Sequence, residues 1–491
     1  MLRDFDPASV TFGKGHFIAG AVVDEPGERI AVARPSDGAD YSDLPVASAE
    51  TVDRAVNDAA EAVRRSGWAK QPPRDRARAM RRWAELIEAR AEELGRLEAL
   101  GSTRPIAQAV TGDVAGTAEG IRFFSEWADK LGGDVAATRS DHLGMIVSEP
   151  YGVVGAITPW NFPLSMASWK VGPALAAGNA IVLKPSELTP FSTVRLAELA
   201  IEAGIPAGIF NVVQGSGAIT GDALSRHPGI AKLSFTGSTR TGVAVMKAAA
   251  ESGIKPVTLE LGGKSPQLVF ADADLDKAAG CIAGSLLANA GQACVAGSRL
   301  IVQRQVADEL VAALMKRLAT VAPGPTWKSS TGFAPIISET QARRIDGILA
   351  RSRQQGAEIL MGGGRIEGQG GAFYQPTLVS GVTAETAAVR EEVFGPVLTI
   401  QSFDSEDQGF ALADHPEYGL AAGVYTADLG RALRAVRQLK AGTVWINRYS
   451  RTLDFILPTG GYKSSGIGKD LGRQAVEANL RHKTVLIDIG A

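Results

Sequence analysis

Five strand-like runs begin at residues 153, 180, 209, 231 and 256, and helix-like segments fill the intervals between them. The runs cover 153–157, 180–184, 209–213, 231–235 and 256–260, and all are rich in aliphatic and β-branched residues. Strands at this spacing, each followed by a helical crossover, make βαβ units and hence a parallel, doubly wound sheet. Gly178 and Gly204 stand where helix C-caps belong, and Pro190 suits a helix first turn. Ligands on such sheets bind beyond the carboxyl ends of the strands, where Lys184, Thr236, Gly237 and Glu260 fall. A second α/β run follows, with strands expected at 267–270, 298–303, 397–403, 420–426 and 443–446. The expected fold class is therefore α/β, with two doubly wound, Rossmann-like halves and a cleft between them.

Around this frame the chain changes character. Residues 1–45 read as an irregular or β-rich arm punctuated by Gly13, Gly15, Gly20, Pro26 and Gly27. From Ser48, a suitable N-cap, Val52, Ala55, Val56, Ala59 and Val63 recur at helical spacing. After Pro72 and Pro73 a second helix is expected, with Met80, Trp83, Ile87, Leu94 and Leu97 on one stripe and a solvated, charged face opposite. Gly132-Gly133, between β-prone residues, marks 130–149 as a hairpin excursion.

Composition excludes several classes. At 491 residues, with 45% hydrophobic and 21% charged residues, the chain reads as a soluble globular protein of more than one domain. A net charge of −2 gives no footprint for nucleic acid or an anionic membrane. Two uncharged stretches, 151–169 and 278–298, are broken by Pro and Asn or dominated by Ala and Gly, so neither is expected to span a bilayer. Asp4 and Asp6 stand where a signal peptide needs an apolar run. Two cysteines make no disulfide framework and point to a reducing, cytoplasmic setting. The five histidines have no ligand spacing, so no metal is expected.

One of those cysteines, Cys294, follows Asn289-Ala290-Gly291-Gln292-Ala293. A thiol among small residues on a Gly-led turn is open to a substrate, although a lone cysteine is more often a small buried hydrophobe. Cys281, inside an apolar helical pattern from Ala278 to Leu287, reads as packing. Glu260 ends a strand and precedes Leu261-Gly262-Gly263-Lys264, whose glycines admit another backbone or a ligand. By itself it could equally be a strand-end glutamate facing water.

With Cys294 and Glu260 in this order, the chain resembles the aldehyde dehydrogenase superfamily, in its hydrolytic, NAD(P)-dependent branch. The resemblance runs from about residue 15 to the end and supplies roles for the remaining motifs. Aldehyde oxidation needs a nucleophile, donors for an oxyanion, a hydride acceptor and a base to activate water. Cys294 is the expected nucleophile and Glu260 the expected base. Asn161, in Pro159-Trp160-Asn161-Phe162-Pro163, would hold the oxyanion beside the Cys294 amide; alone it is a turn residue between prolines. Trp160 would border the cofactor. Gly237 and Ser238, in a strand–turn–helix stretch, suit a pyrophosphate. Lys184, Ser186 and Glu187 would meet the adenosine ribose, where a carboxylate favours NAD over NADP. Glu392 would hold the nicotinamide ribose and Phe394 would pack beside the ring. Implied domains are 1–129 with 150–259 for NAD, 260–470 for catalysis, and 130–149 with 471–491 as a small β oligomerisation arm of a homodimer or homotetramer.

The implied partner is a small-molecule aldehyde. Thr459 replaces a common aromatic of the family, Asp470 a usual Glu, and Ser102-Thr103-Arg104-Pro105 a Gly-Lys-Pro turn. The loop from Asn447 to Phe455 is expected at the substrate entrance, with Arg448, Arg451 and Asp454 on its wall and Phe162, Met166 and Trp169 opposite. Three rivals remain: a coenzyme A-acylating semialdehyde dehydrogenase, a non-catalytic nucleotide-binding protein of the same fold, and a cysteine hydrolase. Glu260 argues against the first, since acylating relatives lack that base.

Overall fold

The structure is a computed structural model and describes residues 3–490. The expected parallel frame is present. Strands β1 (Val153–Ile157), β2 (Ala180–Lys184), β3 (Phe210–Val212), β4 (Lys232–Thr236) and β5 (Val257–Glu260) pair in parallel in the order β3-β2-β1-β4-β5. His16–Ile18 and Ala21–Val23 extend the β3 edge, and Gly466–Ile467 pairs antiparallel with β5. Successive strands step away from β1 toward β2 on one side and toward β4 on the other. The crevice between the carboxyl ends of β1 and β4 is therefore the topological switch point, where such sheets hold ligands.

The second sheet is built from β6 (Pro266–Val269), β7 (Arg299–Gln303), β8 (Thr377–Ser380), β9 (Val397–Phe403), β10 (Ala421–Tyr425) and β11 (Thr443–Ile446). These pair in parallel in the order β8-β9-β7-β6-β10-β11, and Glu358–Met361 closes the β8 edge antiparallel. A third, three-stranded sheet joins Asp134–Ala136 and His142–Pro150 to the tail strand Leu480–Asp488.

Helices behave as their local chemistry dictates. Ser48 accepts a hydrogen bond from the Thr51 N–H and opens Ala49–Ser66; Gly67 closes it with φ 65°. Pro190 stands immediately before the helix Phe191–Glu202 rather than inside its first turn. The single helix expected after Pro73 is two, Pro73–Ala89 and Ala91–Gly101, because Arg90 leaves helical geometry. Its apolar stripe survives the break: Met80, Trp83, Ile87, Leu94 and Leu97 are all buried against the first sheet's layer. The Trp83 indole N–H donates to the Leu196 carbonyl at 3.1 Å, satisfying the one polar atom it buries. No helix among the described residues is long and apolar enough to cross a membrane.

Candidate active site

The two sheets meet around one large cavity of about 1040 Å³, and Cys294 is on its wall. The turn that delivers the thiol follows the helix Leu275–Leu287 and holds three successive residues in the left-handed region, Asn289 (φ 49°), Ala290 (φ 52°) and Gly291 (φ 71°). For the two non-glycine residues this conformation costs about 1–2 kcal/mol each. Side-chain amides compensate. Asn289 donates to the Asn161 carbonyl at 2.9 Å and accepts from the Thr103 hydroxyl at 2.6 Å. Gln292 donates to the Asn289 and Pro335 carbonyls, each at 2.9 Å, and accepts from the Ile337 N–H at 2.9 Å.

Asn161 enters the same lattice through Nδ2, which donates to the Gln292 carbonyl at 3.0 Å. Asn161 also lines the cavity, so its amide and Cys294 share one space although 133 positions separate their numbers. No motif of the sequence assigns a role to Asn289 and Gln292. The signal was there: two amides in an otherwise Ala/Gly-rich stretch that must be buried must also find partners. Asn289→Ala would leave the Thr103 hydroxyl and the Asn161 carbonyl without their partner. We expect it to cost about 3 kcal/mol of stability by urea denaturation and to depress turnover even where the protein stays folded.

The Glu260–Lys264 stretch approaches this turn through its glycines. A Cβ on Gly263 would stand 2.6 Å from the Cys294 carbonyl oxygen, so only glycine lets the two loops close. Glu260 itself is buried and does not line the cavity, whereas Leu261 and Gly262 do. Its Oε1 has no hydrogen-bond partner and lies under Gly460, where a Cβ would stand 2.8 Å away. Burial pushes the Glu260 carboxyl up to about 8, the neighbouring Asp470 adds to the rise, and Lys170, Arg451 and Lys469 oppose it. Lys170 and Asp470 form a buried ion pair at 2.5 Å behind it. Burial likewise pushes the Cys294 thiol up to about 11, with Arg451 the largest influence the other way.

At the switch point, Thr236, Gly237 and Ser238 open onto the cavity. Ser238 caps the helix Thr239–Glu251 by accepting from the Thr241 N–H at 3.2 Å. The Thr236 hydroxyl is buried with no partner. A helix N-terminus beside an unpartnered hydroxyl fits the phosphates of a dinucleotide. Across the cavity Glu392 accepts from the Gly263 N–H at 2.9 Å, and Arg344 donates to the Glu392 and Val393 carbonyls at 2.6 and 3.0 Å. Phe394, at φ 54°, meets the Trp160 ring edge to face with centroids 5.2 Å apart. Trp160, Gly237, Ser238, Glu392 and Phe394 thus share one wall system.

Lys184, Ser186 and Glu187 do not line this cavity. They sit at the end of β2, next to β1, where the Thr158 N–H donates to the Lys184 carbonyl at 3.1 Å. Lys184 Nζ donates to the Pro185 carbonyl at 2.8 Å and to Glu187 at 3.2 Å. Cys281 packs against the second sheet's core, as its pattern implies, yet it also lines the cavity. Of the expected entrance wall, Arg451 faces the cavity and Arg448 and Asp454 do not. The loop turns through left-handed conformations at Asn447 and Ser450, which directs its charged side chains differently from a smooth strand. Thr459 lies buried behind the wall, where it accepts from Arg451.

Known proteins carry the same chain organisation. The family model described as the aldehyde dehydrogenase family matches residues 22–485. An aldehyde dehydrogenase of Alternaria alternata is 42% identical over 464 residues, 94% of this chain and 93% of that protein. PuuC of Escherichia coli strain K12, named an NADP/NAD-dependent aldehyde dehydrogenase, is 44% identical over 90% of this chain and 88% of its own. Among solved structures, a variant of the P. syringae indole-3-acetaldehyde dehydrogenase AldA, in complex with NAD+ and IAA, superposes with a TM-score of 0.96. It is 39% identical and covers 98% of both chains. The aldehyde dehydrogenase KauB of Pseudomonas aeruginosa gives 0.95 at 38% identity, over 98% of this chain and 97% of its own. A match of this length and identity, on this sheet order and around this cavity, leaves one conclusion: the chain belongs to the aldehyde dehydrogenase family.

Proposed function

We propose that this chain oxidises an aldehyde to its free carboxylic acid with NAD as hydride acceptor. The observation that carries the reading is the shared cavity. It brings the Cys294 thiol and the Asn161 amide into one space with the Gly237 helix end and the Glu392–Phe394 wall. Once its proton has passed to solvent, the Cys294 thiolate attacks the carbonyl carbon, a C–S bond forms as the C=O π bond opens, and the oxygen becomes an oxyanion held by Asn161 Nδ2 and the Cys294 N–H. NAD, which the Thr236–Ser238 helix end and the Glu392–Phe394 wall would hold, would supply the hydride acceptor, and with that hydride gone the carbon is a thioester on Cys294. Glu260 then swings about its side-chain torsions from beneath Gly460 toward the cavity that Leu261 and Gly262 border. There it takes a proton from water; the hydroxide adds to the thioester, the C–S bond breaks, and the thiolate returns.

In this reading residues 1–129 and 150–259 hold the dinucleotide and 260–470 carry the nucleophile. The arm of 130–149 and 471–491 joins subunits into a homodimer or homotetramer, consistent with the exposed Leu486 and Ile487 on its outer strand. Two free cysteines, one of them a nucleophile, fit a reducing cytoplasm.

Incubating the protein with NAD and a panel of aldehydes tests the reading. One NADH per molecule of free acid, with no coenzyme A, is expected. Acyl-coenzyme A as the sole product would overturn the hydrolytic step. The half-buried Glu187 beside Lys184 carries the cofactor preference in this reading, because its carboxylate repels a 2′-phosphate. Glu187→Gln is expected to raise the NADP-to-NAD ratio of kcat/KM by about 10-fold, as a like-charge repulsion of about 1–4 kcal/mol is relieved. Steady-state kinetics with both cofactors check this.

A further inference from the structure

On the substrate side of the cavity two cations line the wall, and only one is neutralised. Arg104 is paired with the buried Asp113 at 2.6 Å and stacks over Phe162 at 4.7 Å. Arg451 has no ion-pair partner among the described residues. Its guanidinium lies over the Trp169 ring at 5.3 Å, and one Nη2 donates to the Thr459 hydroxyl at 2.5 Å. Ring and hydroxyl fix the plane of the guanidinium, and the Nε and Nη1 donors have no acceptor among the described residues. Met166, Trp169, Leu453 and Phe455 add apolar surface to the same wall, beside the small hydroxyls of Ser165, Ser450 and Thr452.

We propose that Arg451 is the recognition residue for a carboxylate at the far end of the aldehyde, so that the preferred substrates are ω-oxo acids whose apolar span packs on Trp169, Leu453 and Phe455. The physical case is one of unmet demand. A guanidinium half removed from water, oriented by two neighbours and left with free N–H groups, is the partner a planar carboxylate fits. An aliphatic aldehyde of the same length would bury the apolar wall equally and leave this cation unpaired. Arg451 and Cys294 line the same cavity, so one ligand can engage both.

The substrate class rests on the aldehyde oxidation proposed above, so two experiments separate their failures. The first measures kcat/KM for ω-oxo acids of four to six carbons against n-alkanals of equal length. The wild-type ratio should favour the acids. Arg451→Gln should lower that ratio by about 10- to 150-fold, the worth of a charged hydrogen-bonded contact, with Arg451→Lys in between. An unchanged ratio, or equal losses on both substrates, would overturn the proposal and leave Arg451 a positioning residue for the thiol. The second needs no turnover. In a Cys281→Ala background, alkylation of Cys294 by anionic iodoacetate is compared with neutral iodoacetamide. The iodoacetate-to-iodoacetamide rate ratio should fall about 10-fold on Arg451→Gln. A constant ratio would show that no anion is drawn to this cation, whatever the protein oxidises. Should Arg451→Gln not fold, Arg451→Met and Arg451→Lys carry the same comparison.

Discussion

Cys294→Ser is expected to lower aldehyde-dependent NADH formation by about 10⁴-fold or more while NAD binding, followed by fluorescence titration, survives. Serine differs by one atom and fits the Asn289–Gln292 lattice without disturbing it, so the loss reports chemistry and not collapse. The hydroxyl is a far weaker acid than the thiol, and no base stands ready to take its proton: Glu260 rests beneath Gly460, outside the cavity wall. The thiol carries its own signature. Burial pushes it up to about 11, so in the free enzyme the thiolate fraction keeps growing through the alkaline range. Iodoacetamide labelling of Cys294 should accordingly rise about tenfold per pH unit up to about pH 10, without the plateau near 8.5 of an ordinary cysteine. A plateau below pH 8 would show that something in solution lowers the thiol more than Arg451 does here. Undiminished NADH formation by Cys294→Ser would remove the nucleophile altogether.

Much of this arrangement is legible in the sequence. The parallel sheet followed from strand spacing, because a βαβ unit has a minimum length and repeats it. The strand ends shifted by a residue, as at 231–235 against Lys232–Thr236, since backbone pairing and apolar content stop at different places. Other features depended on partners far along the chain. The resting place of Glu260 is set by Gly460, Asp470 and Lys170, which no local pattern connects to a strand ending at residue 260. The break at Arg90 left the apolar stripe continuous and therefore invisible in periodicity. Cys281 shows a different limit. An apolar face can rest on a core or wall a cavity, and the residue pattern is the same for both. Arg451 was recognisable as a polar wall residue, but its separation from Arg448 and Asp454 hinged on left-handed turns at Asn447 and Ser450 that neither residue type announces.

Glu260→Gln is expected to let the first half of the reaction run and to stall the second. Mixing it with NAD and aldehyde should give a burst of NADH near one per site. A steady rate about 10²- to 10⁴-fold below wild type should follow, the usual worth of a positioned base. Mass spectrometry of the quenched protein should find the acyl group on the peptide that carries Cys294. The pH dependence has a definite sign. Burial and Asp470 raise the Glu260 carboxyl to about 8, so its base form is scarce at neutral pH and grows as pH rises. Where hydrolysis limits kcat, the rate should climb about tenfold per unit below pH 8 and level above it, and this inflection should vanish in Glu260→Gln. Asp470→Asn removes a negative neighbour and leaves the Lys170 ammonium uncompensated, and both changes favour the carboxylate. The inflection should then move to lower pH, and Lys170→Met should move it the other way. Ordinary turnover of Glu260→Gln with no adduct on Cys294 would place the base elsewhere, and the groups behind Gly460 would then be structural only.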